Sequence, residues 1–363
     1  MNALLKSTEG WQDYIVYIFF ALVIAFFGFT IGDQGFLTLT NLFNITRTTS
    51  MIVVMAVAMT FVISCGELDL SVGSTAALAA LVTGLSMQAG HGWITAVGFG
   101  LLCGLLVGLL NGFFVTYVNI PSFLVTLGMM QFIRGLDMRV TYTKPIPITE
   151  DAFNDLFGQG SLGIIPSLLL WSLVVTIVGH VVLKYTPFGR EVLATGGNRV
   201  AARYSGVNTA RIKVYGFLIT GVAAAIAGML YTGMMQTARY SFGTGAELAA
   251  IAAVILGGTS LYGGKGSILG TFVGALLIGT INNGLIIMGL DVSEQNMVAG
   301  AIIILAVAAA VAGTAFVFMH YEDQFLGFFA RGIAHQLFGT QLTLNRILYT
   351  IARSITLVGV PRV

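Results

Sequence analysis

Long apolar runs separated by short polar ones fill this chain. The first, Tyr14–Ile31, is long enough to cross hydrocarbon at about 1.5 Å per residue, and Gly32-Asp33-Gln34-Gly35 ends it. Phe36–Arg47 is only partly apolar and reads either as an interfacial segment or as a plain loop. Met51–Cys65 is a short second span, and a third runs from the polar break after it to about Gln88. Trp93–Val115 is the fourth. The fifth starts at Ser122, after the turn Tyr117–Pro121, and fades near Gln131 to Arg134, leaving Gly135–Gly163 as the largest loop on that side. Ile165–Leu183, Val214–Tyr231, Glu247–Leu256, Ile268–Met288 and Met297–Phe318 follow, with Thr232–Gly245 and Asp291–Asn296 as outer turns. The pattern predicts an all-α integral membrane protein of about ten spans, with a membrane domain over 1–318 and a tail over 319–363.

The longest strongly polar interval, Lys184 to Lys213, sets the orientation. It carries Lys184, Arg190, Arg199, Arg203, Arg211 and Lys213 against the single acid Glu191. A short basic loop belongs in the cytoplasm by the positive-inside rule, so both termini are expected there too. Lys6, Lys265, Arg331, Arg346, Arg353 and Arg362 then also lie inside, while Arg47, Arg134, Arg139, Lys144 and Arg239 lie outside. Within the interval Pro187 and Gly189 break the preceding helix. Asn198 occupies an N-cap position, and Val200–Tyr204 reads as a short helix stopped by Gly206. Such a helix either docks another protein or belongs to a solvated linker whose charges only set topology.

Two interruptions stand out. Gly66-Glu67-Leu68-Asp69-Leu70-Ser71-Val72-Gly73-Ser74 precedes the third span, and a Gly-rich run, Gly257 to Ser267, precedes the ninth. Asp69 and Ser71 suit caps for the third helix, or mark a broken helix beside a pathway. Each half of the chain later reaches an Asn-Gly pair, Asn111-Gly112 and Asn283-Gly284, a weak echo between halves. Gly66, Asp69, Ser71, Gly73, Asn111, Gln131 and Asn283 are therefore the pathway candidates. Gly100, Gly104, Gly108 and Gly112 recur every four residues and predict one close-packed helix face. Gly270 and Gly274 do the same in the ninth span.

Composition agrees: 56% of residues are hydrophobic and 9% charged, where a soluble domain has about a quarter charged. Glycine is abundant at 46 residues and proline scarce at 6, as close helix packing in lipid requires. Cys65 and Cys103 sit in apolar segments and indicate no disulfide framework. The histidines His91, His180, His320 and His335 are scattered, without zinc-type spacing. Gly264-Lys265-Gly266-Ser267 fails the phosphate-loop pattern, because Thr259 stands where its first glycine belongs. No metal, cofactor or nucleotide site is expected, nor any contact with nucleic acid. Ionisable groups are expected to be almost absent from the spans, which argues against an ion-coupled carrier. Energy then comes from a partner.

The Gly66–Ser74 run resembles the Gly-x-Ile-Asp-Leu-Ser-Val-Gly-Ser signature of ribose-type ABC sugar permeases. Asn119–Gly128, Thr186-Pro187-Phe188-Gly189-Arg190, Gly196–Gly206, Gly257–Ser267 and Asn283-Gly284 follow in that family's order, over about Asn41 to Val311. The resemblance implies a ten-helix permease of the bacterial inner membrane. It would be surrounded by lipid and would work with a cytoplasmic ABC ATPase, a periplasmic sugar-binding protein and a second copy or paralogue. It also implies that Gly197, Asn198, Ala201, Ala202, Arg203, Ser205 and Gly206 contact the ATPase, which favours the docking reading of that loop. The implied solute is a pentose, hexose or related polyol. Related permeases carry autoinducers, nucleosides or branched-chain amino acids, and a self-sufficient secondary carrier is the alternative outside the family. The apolar tail Gln324–Val363, with spaced arginines, suits an interfacial helix and departs from the family pattern.

Overall fold

The computed structural model describes residues 15–302 together with 304, 305 and 308. The described residues up to 305 belong to one compact unit. Tyr14, the end of the tenth expected span and the tail 319–363 lie outside the described residues.

The described chain is built from α1 (Ile15–Ile31), α2 (Leu39–Ser64), α3 (Val72–Gln88), α4 (Trp93–Thr116) and α5 (Ser122–Thr141), followed by a short α6 (Asp151–Asn154). Then come α7 (Ser167–Tyr185), α8 (Pro187–Gly197), α9 (Arg199–Tyr204), α10 (Thr209–Met235), α11 (Ala246–Leu256) and α12 (Ile268–Ile287). A helix α13 starts at residue 292. Two tiny antiparallel ladders join loops at one end of the bundle: β1 (Ile146–Pro147) with β4 (Thr237–Ala238), and β2 (Ser161–Leu162) with β3 (Ile165–Pro166). Six of the segments are long and apolar enough to cross a membrane: Val16–Gln34, α2, α4, α7, α10 and α12.

Several expected boundaries are corrected. Phe36–Arg47 is neither interfacial segment nor loop, because Thr38 caps a single helix that runs from Leu39 to Ser64. Its polar first half lowered the local hydropathy, and the second span looked short. The fifth span does not fade at Arg134 but continues through Asp137 and Arg139 to Thr141. The remainder of the 135–163 loop contains α6 and a π turn at Asp155–Gln159, with Phe153 and Phe157 buried. The basic interval is mostly helical: Thr186 caps α8, with Pro187 at its first position, and Asn208 caps α10. Asp291 does not merely turn the chain. Its carboxylate accepts from Glu294 N while Glu294 accepts from Asp291 N, a capping box that starts α13. The Ser293 hydroxyl, ahead of the Glu294 amide, holds the Asp291 carboxyl below the usual carboxylate range.

α2 is the axis of the unit. From Met51 to Ser64 all but one of its residues are buried, including Met55, Met59 and Ile63, as expected of a helix apolar on every side and enclosed by others. α10 lies between α2, α3 and α4. The α4 glycine stripe meets it backbone to backbone. A Cβ on Gly104 would stand 2.8 Å from the Ala225 Cβ, one on Gly108 3.0 Å from the Phe217 carbonyl carbon, and one on Gly112 3.1 Å from the Val214 Cα. Gly100 faces α3 and Met229 instead, with a Cβ landing 2.7 Å from the Met229 Cε. Gly270 and Gly274 form the corresponding surface of α12, against Gly257 and Ala253.

Candidate translocation and coupling sites

α2 stops at Ser64, and α3 does not begin until Val72. Gly66 takes φ +79°, a left-handed conformation open to glycine at little cost, and turns the chain into an extended stretch. The polar groups of that stretch are tied to three different helices, α4, α5 and α10. Glu67 pairs with Lys213 of α10. Leu68 N donates to the Ser122 hydroxyl of α5 at 3.1 Å, and Thr126 donates back to the Leu68 carbonyl at 3.3 Å. Asp69 is fully buried and accepts from Ser71 N (2.9 Å), Ser71 Oγ (2.7 Å) and Thr220 Oγ1 of α10 (2.7 Å). Ser71 Oγ accepts in turn from Asn111 Nδ2 of α4 at 2.8 Å. Thus Ser71 does not cap α3 with its side chain; Asp69 and Ser71 instead bind the interruption to the middle of α10 and to α4.

A further break, besides the Gly257–Ser267 run, precedes α11. After β4 the chain crosses Arg239–Gly245 in turns closed by Phe242 N to Arg239 O and Thr244 N to Ser241 O, and α11 starts behind Gly245. Its first turn meets the first turn of α3: a Cβ on Gly73 would come within 2.5 Å of Glu247 Oε2. Two helix N-termini therefore converge inside the bundle. Ser267, at the end of the Gly257–Ser267 run, caps α12. Arg134 reaches across from α5, and its Nη2 donates to Glu247 Oε1 at 3.1 Å. Glu247 Oε2 and both oxygens of Asp137, one turn beyond Arg134, have no hydrogen-bond partner.

These groups correct the expectation that spans are almost free of charge. Asp69, Asp137, Lys213 and Glu247 are all buried. Arg134 and Glu247 were missed as site residues because the acid sits at a helix start and the arginine in a segment read as fading. Their pairing across 113 positions of sequence leaves no local signal.

Asn283, the other pathway candidate with an amide, makes a reciprocal pair with Asn41 of α2, at 2.9 and 3.0 Å. It joins α12 to α2 and lies apart from the Asp69 network. Gln131 is exposed on α5, one turn before Arg134.

At the opposite end of α10, α8 and α9 cover the bundle. Asn198 Oδ1 accepts from Val200 N and Ala201 N at 3.1 and 3.0 Å, and Gly206 takes φ +87° behind α9. Val200, Ala201, Arg203 and Tyr204 are exposed, whereas Ala202 is buried beneath them. Arg203 Nε donates to Thr209 Oγ1 at 2.9 Å, so part of its guanidinium is held within the chain. The end of α8 sits on both interrupted regions. A Cβ on Gly196 would lie 2.7 Å from Gly264 N and inside contact of the Ser64 carbonyl, and Gly264 N donates to Ser64 O at 3.0 Å.

Residues 41–324 match the family model described as branched-chain amino acid transport system / permease component. The ribose import permease of Escherichia coli K12 is 40% identical over 284 residues, 76% of this chain and 87% of that protein. The ribose import permease of Bacillus subtilis is 39% identical, over 80% of this chain and 90% of its own. The L-arabinose ABC transporter permease of Azospirillum brasilense is 36% identical, over 79% and 84%. No solved structure matches. With six helices able to span a bilayer and these bacterial relatives, the chain is a multi-pass protein of the inner membrane. Its interrupted helices, its helical cover and the match along most of its length converge on one assignment: the chain belongs to the family of ABC transport-system permease components, and within it to the ribose-import type.

Proposed function

We propose that the chain is the membrane subunit of a binding-protein-dependent sugar importer. ATP hydrolysis takes place in a separate cytoplasmic subunit and the solute arrives from a periplasmic binding protein. The six apolar spans, with α3, α5, α11 and α13, make a ten-segment permease with both termini inside, working beside a second copy or paralogue. The observation that carries the sugar is the two-fifths identity to ribose import permeases over most of both lengths. With Asp69, Asp137 and Glu247 buried, the charge of the interior does not by itself select a neutral solute. Reconstitution with the ATPase and binding protein should give ATP-dependent ribose uptake. Ion-gradient-driven uptake by the chain alone would defeat the reading. The family description favours one second reading, a branched-chain amino acid, and ATP-dependent leucine uptake without ribose uptake would establish it.

The contact of α8 with Ser64 and Gly264 supports α8–α9 as the coupling element. A partner pushing on α9 moves the two segments that lead into α3 and α12, without a long relay. The docking face is Val200, Ala201, Arg203 and Tyr204; Ala202 supports it from beneath. A six-residue helix is marginal alone, so docking would firm it. Arg203→Glu reverses the charge of that face and should leave membrane insertion intact while ATPase copurification falls at least about tenfold, a loss within reach of one charge-assisted hydrogen bond. Wild-type copurification and transport would remove Arg203 from the coupling contact.

A further inference from the structure

α5 is otherwise dressed for lipid. Phe123, Leu124, Phe132, Leu136, Met138 and Val140 are exposed along it. Gln131 and Arg134 interrupt this surface. They stand three residues apart and hence on one helix face, Gln131 exposed and the Arg134 side chain 29% exposed. An amide and a guanidinium are costly to turn toward acyl chains, the charged guanidinium most of all. This edge of α5 therefore faces water or protein.

Behind the edge lies Glu247, with its residue surface 6% exposed. One carboxylate oxygen takes Arg134 and the other has no partner. It sits where the first turns of α3 and α11 converge, and helix N-termini favour an anion or an acceptor-rich group there. Arg134 uses one N–H on Glu247, and a guanidinium carries five. The edge thus combines unspent donors on Arg134, an amide with both a donor and an acceptor on Gln131, and an acceptor with free capacity on Glu247. That set matches adjacent hydroxyl groups, which donate to a carboxylate and accept from a guanidinium.

We propose that Gln131, Arg134 and Glu247 line the solute passage and hydrogen-bond the hydroxyl groups of a polyol as it crosses. The inference rests on the sugar-importer reading for its solute, and on the α5 edge for its place. Arg134 and Glu247 close on each other when the passage is empty. A polyol entering between them replaces their mutual bond with bonds to its own hydroxyls.

The test uses the permease assembled with its ATPase and binding protein. Cys65 and Cys103 are replaced by alanine, and Gln131→Cys is introduced. The expected result is reaction with a water-soluble thiosulfonate added from the aqueous phase, slowed several-fold by ribose with the binding protein. A cysteine that reacts only with a lipid-soluble maleimide overturns the proposal, and so does aqueous labelling that ribose leaves unchanged in a complex that imports ribose. Water access at position 131 does not depend on which solute is carried. The lining claim and the sugar reading therefore fail separately: a complex that imports leucine and labels from water keeps the passage and loses the polyol. In parallel, Glu247→Gln should lower ribose uptake at limiting binding protein about tenfold or more, and parent-level uptake by this variant overturns the role of Glu247. If Glu247→Gln fails to assemble, the labelling alone decides.

Discussion

Gly108→Val should prevent the permease from assembling as a stable unit. The Cβ position of Gly108 already lies 3.0 Å from the Phe217 carbonyl carbon and 3.1 Å from the Leu218 Cα. A valine carries two further methyl groups into α10 backbone that cannot move aside, because α10 is held on its other faces by α2 and α3. Overpacking commonly costs about 1–3 kcal/mol and more where backbone is struck; a loss of about 3 kcal/mol or more is expected here. Gly221→Val, which meets Gly104 from the other side, should do the same. Gly98 offers an internal control, since it lies on the same helix with no atom within 4 Å of its Cβ position. Gly98→Val should change stability by no more than about 0.5 kcal/mol. Thermal unfolding of the purified variants in nanodiscs measures the contrast. Equal melting of G108V and G98V would mean that α4 and α10 are not in backbone contact.

Asp69→Ala should be the second severe lesion. The carboxylate satisfies Ser71 N, the Ser71 hydroxyl and the Thr220 hydroxyl, all in buried surroundings. Removing it strands these donors, and each unmade buried bond costs about 1–3 kcal/mol. A total of about 3–5 kcal/mol is expected, the range for one partner deleted from a buried charged network. Asp69→Asn keeps one acceptor oxygen and should fall between. Thr220→Val removes a single donor and leaves two bonds to Asp69, so about 1 kcal/mol is expected. The order of melting temperatures, parent above T220V above D69N above D69A, is the readout. A Thr220→Val variant as unstable as Asp69→Ala would show that the α10 bond, rather than the local turn at Ser71, holds the interruption.

Both lesions act on one arrangement. The non-helical stretch 65–71 and the segment Arg239–Gly245 enter the bundle from different parts of the chain, and the helices that follow them start face to face. Unwound backbone is tolerated at such depth only where protein satisfies it. Here Ser122 and Thr126 of α5 bond the Leu68 backbone, and Thr220 of α10 holds the Asp69 carboxylate. Movement of α10 relative to α5 would therefore be felt first at the interruptions. The first of them, together with the Gly257–Ser267 run that leads into α12, meets the end of α8 through Ser64 and Gly264.

The chain's own order of residues determined the membrane class, the breaks and the local caps. Apolar runs of this length leave no soluble alternative, since no core of one domain could enclose them. Asn198 before Val200–Tyr204 and Gly206 after it are short-range signals, and the α9 helix with its two Asn198 bonds follows from them. The glycine spacing on α4 declared a flat face, because a period of four is a property of one helix. What that face would meet was not legible: α10 lies more than a hundred residues further along, and nothing local names it. The tertiary structure alone decided that Phe36–Arg47 continues into α2, since the Asn41–Asn283 amide pair secures that first half against α12. It alone decided the partners of charge. Arg134 and Asp137 lowered the hydropathy of their segment and so read as the fading end of a span and a loop, while Glu247 read as the first residue of a span. In the fold Arg134 and Glu247 meet across α5 and α11, where burial makes an ionic pair a matter of three-dimensional neighbours rather than of sequence. The convergence of the α3 and α11 N-termini has the same origin, because each helix start is encoded locally but their meeting depends on how α10 and α2 pack between them.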